Sequence, residues 1–208
     1  MMTTAWPARA RRVARLAFVA ALITGVSLAN AVVSEADLEN GPPEMPQPLP
    51  VFVAGGSNWQ PQFPFPYDQS RGLVTAADID AERDMCQWYK ARYSQIKHQI
   101  EHLDNAIIRE NGNFAAGDVP QRLNIVTTNL DQALDFLAPR AQALTQSYDR
   151  AGDMYFPIYQ GDSFYGLWQQ LSNVNNGLKA QEPTWFSGPS VLRADHWGSK
   201  INRSGVCG

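Results

Sequence analysis

Cysteine is scarce in this chain of 208 residues: Cys86 and Cys207 are its only thiols. There is no Cys-x-x-Cys pair, the spacing a dithiol redox centre uses. No cysteine follows the N-terminal apolar run, so a lipoprotein anchor is not indicated. Glycine signatures are missing as well. The chain has no Gly-x-Ser-x-Gly elbow, no phosphate-binding glycine loop and no dinucleotide fingerprint. Basic residues are scattered, 17 of them against 20 acidic, and form no stripe of the kind nucleic acid selects. Alternating apolar–polar runs never exceed a few residues, which leaves little for a sheet. The only apolar stretch with a membrane look, Leu16 to Val26, is about a dozen residues long, and a spanning helix needs roughly 20.

What is present begins with an address. Arg9, Arg11, Arg12 and Arg15 precede that apolar run, and Ala29-Asn30-Ala31 follows with the small-x-small pattern of a signal peptidase site. This pattern predicts a signal peptide over residues 1–31, cleaved after Ala31, with an uncleaved anchor as the alternative. Adjacent arginines in a basic leader carry no separate twin-arginine signal. Cleavage removes four of the 17 basic residues and no acidic one, leaving 13 against 20 and a net charge of −7. An exported, periplasmic or secreted chain with an even cysteine count favours a disulfide between Cys86 and Cys207, tying the C-terminal tail to the body.

Residues 32–74 hold eight prolines, from Pro42 to Pro66, and the pair Gly55-Gly56. Proline blocks helix and removes donors, so an extended arm is predicted. Phe52, Trp59, Phe63, Phe65 and Tyr67 are interleaved with it. Two readings stand: the arm wraps the body, or it offers aromatic rings to a partner.

The fold class expected is all-α: a long antiparallel helical hairpin with a third, shorter helix, over residues 75–208. In the first rod Cys86, Tyr89, Tyr93, Ile96, Ile100, Leu103 and Ile107 are spaced 3, 4, 3, 4, 3, 4, with Ile79 one heptad before them. That is a coiled-coil-like seam, and by it long rods could pair between chains as a homodimer. Thr75 is the expected N-cap and Asn111-Gly112-Asn113 the stop. The second rod opens at Asp118 and Pro120 and repeats the period through Leu123, Thr127, Leu130, Leu134, Leu137, Ala141, Leu144 and Tyr148. Pro139 should bend or break it, and Gly152 and Pro157 should end it. Asp162-Ser163 opens a third helix with Phe164, Leu167, Trp168, Leu171, Val174 and Leu178 on one face. The tail from Pro183 reads as irregular, with Trp185, Phe186 and Trp197 as anchors.

Three features bear on chemistry. His98-Gln99-Ile100-Glu101-His102 fits H-x-x-E-H, an inverted zincin signature with both imidazoles on one helical face. It implies a zinc-dependent hydrolase, but Ile100 and Leu103 define the seam, which turns His98 and His102 to the outer side as solvated groups. Neither a catalytic residue nor a metal or other cofactor is therefore assigned. Asp78, Asp80, Glu82 and Asp84 form an acidic run expected to be a solvated helix start. Tyr155, Phe156, Tyr159, Tyr165 and Trp168, with Phe164, cluster around the joint before the third helix. They read either as a core sealing the hairpin's end or as a partner-binding patch.

The segment Ile96-Lys97-His98-Gln99-Ile100-Glu101-His102-Leu103-Asp104-Asn105 and the aromatic tract Tyr155 to Asn175, set behind a leader and a proline-bearing arm, resemble minor-pilus and conjugal-transfer subunits of type IV secretion systems. That resemblance implies pilus assembly or adhesion, with no catalytic residue to carry over. The chain is thus expected to be a non-catalytic interaction protein of the cell envelope or the extracellular space. Its partners would be proteins, with nucleic acid excluded and the membrane reached only through an uncleaved leader.

Overall fold

A computed structural model describes residues 44–144, 146–147 and 154–208. The leader, residues 32–43 and Tyr148 lie outside them. The described residues are predominantly helical, and the expected all-α class holds. The only strand pairing among them is a two-residue antiparallel bridge between β1 (Gln146–Ser147) and β2 (Met154–Tyr155).

The first helix, α1 (Ala76–Trp88), starts where its capping chemistry says it should. Asp78 N–H donates to Thr75 Oγ1, and Thr75 N–H donates to Asp78 Oδ2 at 2.7 Å, a reciprocal cap worth about 1 kcal/mol. One wide turn, Tyr89–Tyr93, then joins α1 to α2 (Ser94–Arg109). This π-helical turn re-aims two seam residues. Tyr89 and Tyr93 stack with ring centroids 4.9 Å apart. Tyr89 donates to Gly198 O at 2.7 Å and Tyr93 to Ala194 O at 3.1 Å. Asn111 and Gly112 then turn the chain with positive φ, as the stop signal required.

The second rod, α3 (Val119–Ala143), runs through Pro139 without a break. Of the bend or break expected at this proline, the break is excluded. Arg140, next in sequence, fastens that turn: it donates to Phe136 O at 2.9 Å, sits 3.8 Å from the centre of the Phe136 ring and pairs with Asp84 at 3.2 Å. The Asp84–Arg140 pair near one end and the Asn129–Gln99 hydrogen bond farther along fix an antiparallel course against α1 and α2. Asp118 occupies the N-cap position without a side-chain cap bond, and pairs with Arg122 at 2.8 Å instead.

The third helix, α4 (Gly161–Ala180), buries the expected Phe164, Leu167, Leu171, Val174 and Leu178 against α3 and the helices that follow. Each contributes roughly 1.5–3 kcal/mol on leaving water. The tail is not irregular. A single turn, α5 (Pro183–Phe186), leads to a sixteen-residue helix, α6 (Pro189–Ser204), packed along α4. Its buried positions are Ala194, Gly198 and Ile201, a 4, 3 spacing made mostly of small residues. That is why no strong apolar stripe announced it. The small residues serve close approach: a Cβ on Gly198 would overlap the Tyr93 ring, and one on Gly166 would lie 2.5 Å from Trp197. Of the expected tail anchors, Phe186 is buried, Trp197 is half-buried and Trp185 is exposed.

Cys86 and Cys207 are bonded, S–S 2.11 Å, which fixes the end of the chain to α1.

Candidate functional site

The arm is laid on the body by side chains that read its backbone. Arg122 donates to Glu44 O, Gln99 and Asn129 both donate to Gln47 O, and Leu49 N–H donates to Asn129 Oδ1. Gln87 gives and takes a hydrogen bond at Gly55. Phe52 meets Phe136 edge-on at 5.0 Å, and Trp59 donates its indole N–H to Val206 O at 2.7 Å beside the disulfide. Wrapping is the arrangement adopted. Outward-facing Val51, Val53 and Phe65 nevertheless stay exposed.

This arm also changes the setting of the two histidines. His98 is exposed and His102 half-buried, with ring centroids 3.8 Å apart, as the i, i+4 spacing required. The face is not bare: Glu44, Met45, Pro46 and Gln47 of the arm cross it and enclose a recess of about 80 Å³ with His98, Gln99 and His102. Glu101 turns away and pairs with Lys97 at 3.4 Å. Among the described residues, no group of three or more His, Cys, Asp or Glu is placed to hold a metal ion.

The arm's last turn leads to a different kind of place. The chain enters a 3-10 helix over Tyr67–Leu73, which faces the start of α4 across an open cavity of about 590 Å³. Its walls are Pro66, Tyr67, Gln69, Ser70, Leu73, Tyr155, Phe156 and Asp162. Ser70 Oγ donates to Pro157 O at 2.6 Å and fastens the 3-10 turn to the segment before α4. Tyr67 and Tyr159 meet at 5.4 Å, Phe156 and Tyr165 at 5.5 Å, and Tyr165 and Trp168 at 5.2 Å.

The sequence-predicted partner patch is therefore divided. Tyr155 and Phe156 line the cavity, Tyr159 supports its Tyr67 wall, and Tyr165 and Trp168 extend the ring series along α4. All five are half-buried, and the last four pack on the core as well.

The acidic run is solvated only at Asp80, which is exposed and pairs with Arg83 at 2.7 Å. Asp78 is buried in its capping bonds, and Asp84 is engaged by Arg83 and Arg140. Glu82 is only 1 % exposed, and neither carboxyl oxygen has a hydrogen-bond partner. Burial first, then the negative charges of Asp78 and Asp162, push its pKa well above the ordinary carboxylate range. Tyr67 is affected in turn. Burial raises the Tyr67 pKa, and Asp162, Tyr159, Tyr155 and Glu82 add to it. Asp162 holds one cation, Lys200 of α6, at 2.7 Å.

Tyr67 as a lining residue and the burial of Glu82 were missed, although a signal for Glu82 existed. The seam steps from Ile79 to Cys86, and Glu82 stands in the gap, one helical turn from each of Asp78 and Cys86. No sequence signal paired Tyr67 with Tyr159, because the two are joined only by tertiary packing. Comparisons with protein families, with curated proteins and with solved structures find no match to this chain.

Proposed function

We propose that this chain is exported through its N-terminal leader and acts by binding a protein partner in the envelope or outside the cell, not by catalysis. The supporting observation is the open cavity rimmed by Tyr67, Tyr155 and Phe156 beside Phe65, which is 78 % exposed, and Leu73. A soluble chain seldom leaves a large ring in water next to a recess unless something covers it. The Cys86–Cys207 bond fits an oxidising compartment. No described helix is long and apolar enough to cross a membrane, so any membrane attachment would fall to the leader.

The test has two parts. Mass analysis of the protein recovered from the envelope or medium should give a chain beginning at Val32 with its disulfide formed. A photo-crosslinker at Phe65 should then capture a discrete partner, and Tyr155→Ala with Phe156→Ala should abolish capture. An unprocessed chain with reduced cysteines in the cytosol would end this reading. The assembly-subunit reading rests on the resemblance of residues 96–105 and 155–175, and a gene neighbourhood holding secretion ATPases and pilus components would support it.

A further inference from the structure

We propose that the recess between the arm and α2 binds a single copper ion, with the imidazoles of His98 and His102 and the thioether of Met45 as its ligands. The inference goes beyond the partner-binding reading and uses a different part of the molecule.

The two imidazoles are the anchor. His98 and His102 stand one helical turn apart on α2, and their ring centres are 3.8 Å apart. Bonds of about 2.1 Å from one metal to each imidazole span at most about 4.2 Å between the two nitrogens. Both rings are therefore within reach of one ion. The helix already holds the pair together, so little order has to be created on binding.

The arm supplies what such a pair lacks on a bare helix. Residues 44–47 close over the rings and leave a space of about 80 Å³. One water takes roughly 30 Å³ of the liquid, so an ion and a water fit. Several polar groups of the lining are already committed. Gln99 donates to Gln47 O and accepts from Asn129, and the Gln47 side chain donates to Met45 O. Met45 is half-buried and lines the same recess as the two histidines. Three His, Cys, Asp or Glu side chains do not converge here. The third donor is a sulfur from the arm.

The donor set selects the metal. A thioether is a soft ligand that suits copper(I), and imidazole serves copper in either oxidation state. Calcium and magnesium seek oxygen instead. Glu44, on the same wall, adds a negative charge that favours a cation. Met45 belongs to the arm and both histidines to α2, so the ion would tie the two together beside the hydrogen bonds at Gln47 O. Binding changes no oxidation state and makes no bond except those to the ion.

The experiment uses the full processed, oxidised chain. Copper(I), kept reduced by ascorbate without oxygen, is titrated in competition with the chromophoric chelator ferrozine, and copper(II) in competition with glycine. One copper(I) per chain is expected, with a dissociation constant below about 1 µM. His98→Ala and His102→Ala should each weaken binding of both ions by at least about tenfold. Met45→Leu should weaken copper(I) by at least about tenfold and copper(II) by less than about twofold, because only the reduced ion favours sulfur. His196→Ala, which removes the remaining histidine, should leave both affinities within about twofold. X-ray absorption of the unsubstituted copper(I) protein, which depends on no variant folding, should show one sulfur and two nitrogen neighbours. Copper(I) binding weaker than about 1 µM overturns the inference, as does a spectrum without sulfur, or an effect of His196→Ala equal to that of the α2 variants. An equal loss of both oxidation states in Met45→Leu also overturns it, since that is what a merely displaced arm would give. None of these failures touches partner capture, which is read at Phe65.

Discussion

Where the arm crosses α2 and α3, Asn129 is 2 % exposed, and its amide is fully employed: it donates to Gln47 O and Gln99 Oε1 and accepts from Leu49 N–H. Where the arm ends, against α1 and α4, Glu82 is as deeply buried and has no partner. Both are polar side chains on seam-bearing helices under the same arm. The first arrangement fastens, since every desolvated group regains a hydrogen bond. The second leaves a desolvated group uncompensated, which costs stability. Burial by itself thus does not tell whether a polar residue fastens the fold; satisfaction does.

The disulfide belongs to the fastening side, and removing it should have the largest effect. Cys86→Ala with Cys207→Ala opens a loop of sequence separation 121 and frees the tail that carries the Trp59 and Gln62 contacts. A loss of up to about 5 kcal/mol is expected from the loop length, read as a shift in urea midpoint. A loss under about 1 kcal/mol would show that the arm and helices hold the tail without it.

Next, Asn129→Ala removes three hydrogen bonds at once and strands Gln99 and the arm's Gln47 and Leu49. The expected cost is roughly 2–3 kcal/mol, with faster hydrogen exchange at Leu49. Unchanged exchange there would break the contrast from the satisfied side.

Glu82→Gln should act in the opposite direction. The folded-state pKa of Glu82 is raised, so its contribution to stability is complete below about pH 4 and is lost as the pH climbs through the raised value. Within that window the wild type should lose roughly 1.4 kcal/mol per pH unit relative to the variant. Denaturation midpoints at pH 4 and pH 7 are the check: near-equality at pH 4 and a more stable variant at pH 7 are expected. Parallel pH profiles would mean that Glu82 is ionised in the fold.

The smallest effect is expected outside both regions. Val53 is 80 % exposed on the arm's outer side, so Val53→Ser should change stability by less than about 0.5 kcal/mol. A larger change would reveal an interface that the monomer does not contain.

Much of the helical body was legible in advance. The 3, 4 spacing from Cys86 to Ile107 marks residues that are buried or half-buried, Thr75 caps α1, and Phe164 to Leu178 line the inner face of α4. Large apolar side chains at helical period leave a readable trace because their burial drives the helix to form. Helix α6 left little trace: its contacts depend on Ala194 and Gly198 being small, and smallness is informative only once Tyr93 is known to lie opposite. The aromatic patch could be read as residues and not as a shape, since Tyr67 comes from the arm and Tyr159 from far along the chain.

The sequence alone settled the all-α class, the first helix cap and the cysteine pairing, because each follows from local spacing, local hydrogen bonding or simple parity. Tertiary structure decided that Pro139 lies within a continuous helix, that the arm covers the face bearing His98 and His102, and that Glu82 is enclosed without a partner. The reason is physical: a residue's charge state and hydrogen-bond satisfaction depend on groups that reach it through space. For Glu82 these include Asp162, which is eighty positions away along the chain and is brought near only when α4 packs into the bundle.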